Sequence, residues 1–282
     1  MTTEPTEIDN LARFERANRI EAALRIARES GSGLRPLSYF PHRSDANIAL
    51  APRFPSGLAR LDTLTGGGVY GVTTIAGAPK VGKSHLAVAC AWEGARAGAV
   101  VVYLSADQAI DQTLRLLGRY VASRPLFPEE CRERLHVLDI VVPLTSEALT
   151  RELVRCVGAQ DRPVLLVVDS INSLAQLLGG DYFTRLHGIL YFLVRARRLA
   201  QGDITVVAIA ELNKGGDVKG RQAIYASDLI VRMQGAQGGA IDVDAQFSRE
   251  SAGGSAGRYL LDHSSARLVP VAPEPLESWE KR

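Results

Sequence analysis

One run of residues limits the fold of this 282-residue chain more than any other: Gly77-Ala78-Pro79-Lys80-Val81-Gly82-Lys83-Ser84, which fits G-x-x-x-x-G-K-[ST]. Its glycines let successive backbone N–H groups curl around phosphate oxygens. Its lysine reaches the β- and γ-phosphates, and its serine hydroxyl is offered to Mg²⁺. The context matches the chemistry. An apolar run, Val72–Ala76, leads into the turn, and a helical pattern continues from it to about Ala97. A helix starting there adds the positive end of its dipole. Residues Gly77 to Ser84, with His85 beside them, are therefore the nucleotide-binding candidates, with ATP and Mg²⁺ as the implied ligands.

From Val72 onward, apolar runs and helical patterns alternate, the mark of a parallel sheet with crossover helices. Strands are predicted at Val72–Ala76, Val100–Leu104, Leu135–Val141, Val164–Asp169 and Ile204–Ala210. Helices are predicted at Ala109–Ala122, Thr145–Val157 and Asp181–Ala200. Four shorter runs follow, Asp228–Met233, Ile241–Phe247, Arg258–Asp262 and Arg267–Val271, and read as antiparallel strands closing one sheet edge. Upstream, Ile8, Leu11, Phe14, Ala17, Ile20, Leu24 and Ala27 give residues 6–30 an amphipathic helical pattern. That helix either packs on its own domain or reaches a neighbouring subunit. Pro36, Pro41, Pro52 and Pro55 mark a linker. The division is thus a helix and linker over 1–53, an α/β core over 54–272, and a charged tail over 273–282.

Composition narrows the function classes. With 33 basic and 31 acidic residues the net charge is +2, too even for nucleic-acid binding by bulk electrostatics. Any such contact must come from a local patch. Cys90, Cys131 and Cys156 form no C-x-x-C pair, which argues against zinc and disulfides and for a reducing cytoplasmic setting. The five histidines are scattered without metal-ligand spacing. Apolar stretches such as Pro163–Val168 are too short to cross a bilayer, which needs about 20 residues. A soluble protein with no membrane partner is expected.

Asp169 closes the apolar run Leu165-Leu166-Val167-Val168. A carboxylate at a strand's carboxyl end can hold Mg²⁺ through water beside such a glycine-rich turn, so Ser84 and Asp169 are the metal candidates. Tyr182, Phe183, Tyr191 and Phe192 fall on one predicted helix and read as core rather than as a base-stacking platform, and Cys90 reads as a buried small hydrophobe.

Several segments together resemble the RecA superfamily of P-loop ATPases. Phe54-Pro55-Ser56-Gly57-Leu58-Ala59-Arg60-Leu61-Asp62 with Gly66-Gly67-Gly68 is similar to the stretch that leads into the P-loop strand of those proteins. Tyr103-Leu104-Ser105-Ala106-Asp107-Gln108 resembles the Y-V-S-G-E-E strand end of the RadA-type branch, and Asp169-Ser170-Ile171-Asn172 its V-I-D-S-I-Q segment. Glu211 to Gly220 is similar to its V-T-K-E-G-x-I-x-G loop and to the Q-L-N-R of DnaB-type helicases. Ala226 to Val231 resembles the strand that follows. The likeness spans about residues 54–265, and KaiC-type ATPases share the same core.

The resemblance implies a RecA-like α/β fold and a Mg²⁺-dependent ATPase of the cytoplasm, assembled as a homo-oligomeric ring or filament. It implies action on single-stranded DNA in recombination, repair or replication, alongside repair or replication proteins. Lys83 would stabilise the transferring phosphoryl group and Asp107 would orient the attacking water. Arg249 would act as a cation supplied to the neighbouring subunit, with Lys214 as a second candidate. Lys214, Lys219 and Arg221, among four glycines, would form a DNA-contacting loop. The chain departs from the pattern at Asp107-Gln108, where paired glutamates are usual. An Asp is one methylene shorter, and a misplacement of about 1 Å can cost roughly 100-fold in rate. The K-N-R-F-G motif is also missing from these residues, and a core without the four-cysteine zinc finger or the protease-like C-terminal domain is expected. A second reading follows: a nucleotide-gated adaptor or regulatory scaffold with little turnover. A small-molecule P-loop kinase is disfavoured, since no compact arginine cluster follows the long helix.

Overall fold

The computed structural model describes residues 18, 21–22, 52–124, 129–140, 151, 155, 162–177, 181–199, 203–212, 226–248 and 253–271. Most of the predicted helix over 6–30, the tail, and most of the predicted helix Thr145–Val157 lie outside them. Asn18, Glu21, Ala22, Arg151 and Arg155 are helical.

Among the described residues, nine strands form one sheet in the order β3-β2-β4-β5-β1-β6-β7-β8-β9. They are β1 (Val72–Gly77), β2 (Val100–Ser105), β3 (Leu135–Asp139), β4 (Val164–Asp169), β5 (Ile204–Glu211), β6 (Leu229–Gly235), β7 (Ile241–Ser248), β8 (Gly254–Asp262) and β9 (Arg267–Pro270). The first six pair parallel with one another, and β7, β8 and β9 add antiparallel pairings. The change of direction falls after β6, which is parallel to β1 and antiparallel to β7.

Helices cover both faces, which is why β1, β2 and β4 are buried at every position and read as unbroken apolar runs. They are α1 (Ala59–Leu64), α2 (Lys83–Arg96), α3 (Ile110–Ala122), α4 (Glu129–Arg134), α5 (Ile171–Leu177) and α6 (Tyr182–Leu199). Alternate strand residues feed two cores. Ile75, Val101, Leu165, Val167, Val207 and Ile209 pack with Leu61 of α1, Leu86 and Trp92 of α2, and Leu116 and Tyr120 of α3. Val72, Val102, Leu166, Val168, Val206 and Ala208 pack with Ile171 and Leu174 of α5 and with Leu186, Ile189 and Leu193 of α6. Each fully buried side chain of this size contributes about 1.5–3 kcal/mol by leaving water. Cys90 and Cys131 are buried free thiols, as expected for Cys90. Tyr191 corrects the core reading of its helix: it is 46% exposed. No helix among the described residues is long and apolar enough to cross a membrane.

The glycine-rich segment ahead of β1 has a packing reason. Asp62 accepts hydrogen bonds from the Ser56 hydroxyl at 2.5 Å and the Ser56 amide at 2.8 Å, pinning α1 to the segment before it. Phe54 and Val69 exchange backbone bonds across the intervening loop. Similarity in this stretch therefore reports the seating of β1, one step removed from chemistry.

Candidate functional site

The carboxyl ends of β1, β2, β4 and β5 meet at one edge of the sheet, where open α/β folds place their ligands. The turn from β1 into α2 lies there. Lys80 and Gly82 both take positive φ, 64° and 96°, so the backbone between them curls into a concavity of N–H groups. Gly77 is required for a different reason. A Cβ there would stand 2.7 Å from the Met233 carbonyl oxygen and 2.7 Å from Val81 Cγ1. Lys83, 9% exposed, turns back into the loop and donates to the carbonyls of Gly77 at 3.1 Å and Ala78 at 2.8 Å. Ala78, Pro79 and Lys80 are exposed, while Ser84 and His85 are half-buried.

Asp169 ends β4 on the face that α2 covers, 4% exposed. Tyr103, buried on β2, donates its hydroxyl to Asp169 Oδ2 at 2.6 Å. Asp169 Oδ1 is buried with no hydrogen-bond partner among the described residues. Burial raises the Asp169 pKa above the usual carboxylate value, and the charge of Asp107 adds to this. The Tyr103 and Ser84 hydroxyls and the Lys83 ammonium oppose it. Burial and the adjacent Asp169 push the Tyr103 phenol well up, so it remains a donor. An unpartnered carboxylate oxygen beside a serine hydroxyl is an all-oxygen donor set that fits a hard divalent cation. Ser84 and Asp169 would hold Mg²⁺, which when bound screens the negative charge of the phosphates.

Asp107 follows β2 and is exposed. Its backbone N–H and that of Ala106 donate to the Asp169 carbonyl at 3.0 and 2.7 Å. Its Oδ1 accepts a 2.6 Å hydrogen bond from Ser173 of α5, and Ser173 is in turn linked to Ser170 at 3.0 Å. Sequence reasoning assigned this serine pair no role. Asn172, buried next to it, donates to the Tyr182 hydroxyl at 2.5 Å and accepts from the Glu211 amide at 3.0 Å. Glu211 stands opposite Gly77 in the β1–β5 register.

His85, placed among the nucleotide-binding candidates, faces His263 of the β8–β9 turn edge-on at 6.2 Å between ring centroids. Burial, then the charges of His263 and Arg119, lower its pKa to about 4. No cluster of three metal-binding side chains occurs among the described residues. Arg249, Lys214, Lys219 and Arg221 lie outside the described residues.

Comparison with known proteins agrees with this geometry. No family model matches the chain. It is 26% identical over 229 residues to the DNA repair protein RadA of Brucella abortus (strain 2308), an alignment covering 74% of this chain and 45% of that protein. The chain spans less than half the length of the RadA relatives it matches. Among solved structures, a KaiC-like protein from Pyrococcus horikoshii OT3 superposes with a TM-score of 0.62 at 19% identity, covering 78% of this chain and 98% of that one. A DnaB-like replicative helicase superposes with a TM-score of 0.57 at 16% identity, covering 81% and 64% respectively. The chain thus has the RecA-like α/β fold of these structures and is similar in sequence to RadA over about three quarters of its length.

Proposed function

We propose that this protein binds Mg·ATP at the β1–α2 turn and hydrolyses it while acting on DNA in repair, recombination or replication. One observation carries the nucleotide part of the reading. A curled loop, a buried lysine that donates to the Gly77 and Ala78 carbonyls, and a buried Asp169 oxygen without a hydrogen-bond partner among the described residues share one sheet edge. Phosphate oxygens would take over the loop N–H groups and Lys83. Ser84 and Asp169 would hold the metal, and Asp107 would orient the attacking water.

The DNA part rests on the likeness to RadA and on Lys214, Lys219 and Arg221, which would present cations to a phosphate backbone. Assembly into a homo-oligomer would place Arg249 or Lys214 of one subunit near the phosphates of the next. Single-stranded DNA at about 100 mM salt should raise the ATPase rate and bind the protein in a mobility assay. A rate and a mobility indifferent to single-stranded and duplex DNA would remove the DNA claim and leave nucleotide binding standing.

The second reading, a nucleotide-gated adaptor with little turnover, draws on a specific contact. Asp107 is short, and Ser173 occupies one of its two oxygens. Tight ATP binding without turnover, with or without DNA, would select it.

A further inference from the structure

Two carboxylates, not one, flank Asp169. The β2–β4 register sets Ser105 opposite Asp169, so Asp107 lies two residues beyond it. The β4–β5 register sets Val168 opposite Ala208; continued, it sets Asp169 opposite Ile209, and Glu211 also lies two residues beyond. Asp107 and Glu211 therefore follow the two strands that neighbour Asp169: Glu211 ends β5 two residues, about 6.6 Å, beyond Ile209, while the Asp107 N–H turns back to the Asp169 carbonyl at 3.0 Å.

Their side chains differ in direction. Glu211 shares its face of β5 with Val207 and Ile209, which pack in the core under α2. It thus faces the side from which the P-loop helix rises, in register with Gly77. Its backbone is fixed on both sides. Asn172 holds its N–H at 3.0 Å, and the next residue, Leu212, donates to the Gly77 carbonyl at 3.3 Å. That carbonyl is the same one that Lys83 bonds. Asp107 is instead held by Ser173 on α5, a helix whose Ile171 and Leu174 lie in the opposite core.

We infer that Glu211 is a second catalytic carboxylate, which takes the proton of the attacking water that the short Asp107 only helps to orient. This rests on the Mg·ATP reading above. The water oxygen forms a bond to the γ-phosphorus as the bond between that phosphorus and the β–γ bridging oxygen breaks. The bond's electron pair stays on the bridging oxygen of ADP. The water proton passes to the Glu211 carboxylate and from there to solvent. The extra methylene of Glu supplies the reach that Asp107 lacks, and the buried, unpartnered Asp169 oxygen between the two marks where the phosphate-bound metal belongs.

The test compares wild type, Glu211→Gln, Glu211→Asp and Asp107→Asn in single-turnover hydrolysis of Mg·ATP. Affinity for a fluorescent ATP analogue is measured on the same proteins. Glu211→Gln should lower the hydrolysis rate about 100-fold with nucleotide affinity held within about 3-fold, and Glu211→Asp should fall between. A Glu211→Gln rate within about 3-fold of wild type would overturn the inference alone, as would a wild type that binds Mg·ATP and never turns it over. Absence of nucleotide binding in the wild type would overturn the underlying reading and this inference with it.

Discussion

Removing the Tyr103 hydroxyl tests whether Asp169 is held as an ionised metal ligand. Tyr103 is 2% exposed, and its hydroxyl meets Asp169 Oδ2 at 2.6 Å. Asp169 Oδ1 is already unpartnered, so Tyr103→Phe leaves the second oxygen without this donor in a site closed to solvent. A hydrogen bond to a charged group contributes about 1.5–3 kcal/mol, and a domain of this size loses about 2–4 °C per kcal/mol. Metal-free Tyr103→Phe should therefore melt about 3–12 °C below wild type.

The pH dependence supplies an independent sign. Burial raises the folded pKa of Asp169 above 3.8, and the Tyr103 hydrogen bond works against that rise. Mg²⁺ requires the ionised carboxylate, so affinity is full above the folded pKa and is lost as pH falls through it. Tyr103→Phe raises that pKa further, and the loss of Mg²⁺-dependent ATP affinity must begin at a higher pH than in wild type. Differential scanning fluorimetry without metal and ATP titrations with Mg²⁺ across the acid range read both effects. A melting temperature within about 1 °C of wild type together with an unmoved acid limb would refute the reasoning.

Three further outcomes follow from the same geometry. Asp169→Asn removes a buried charge whose folded pKa is raised, so the metal-free protein should melt higher at neutral pH while its Mg·ATP-induced stabilisation disappears, both read in one thermal scan. His85 has a folded pKa of about 4 against 6.5 unfolded, so the unfolded chain binds the extra proton between those values and stability falls as pH drops through that window. That difference corresponds to roughly 3 kcal/mol and, discounted for the solvent-exposed part of the ring, to about 1–2 kcal/mol; urea unfolding should show the loss in wild type and not in His85→Asn. Gly77→Ala sets a methyl group 2.7 Å from the Met233 carbonyl oxygen, which should cost about 1–3 kcal/mol in urea unfolding and weaken ATP binding.

The parallel core was legible because its strands are covered on both faces. Continuous apolar runs such as Val164-Leu165-Leu166-Val167-Val168 have no other stable setting beside helical patterns. The β1–α2 turn was legible because its glycines, lysine and serine recur at fixed spacing between an apolar run and a helical pattern. What lay beyond the sequence was set by register between distant strands. Tyr103 and Asp169 meet because Ser105 pairs with Asp169, and Glu211 reaches the same edge because β5 inserts between β4 and β1. The short helix α5 was missed since seven residues are too few for a periodic pattern, yet it supplies Ser173 and Asn172. Tyr191 was misread because aromatic spacing on α6 does not say which side of a two-faced helix meets the sheet.

In the proposed binding mode, loop amides and Lys83 grip a triphosphate whose metal is shared by Ser84 and Asp169. Calorimetric titration of the purified chain with ATP, with and without Mg²⁺, beside Lys83→Ala, addresses this most directly. Binding that depends on Mg²⁺ and weakens at least about 10-fold in Lys83→Ala is the predicted result. No magnesium-dependent heat in the wild type, or equal affinity in Lys83→Ala, would contradict it.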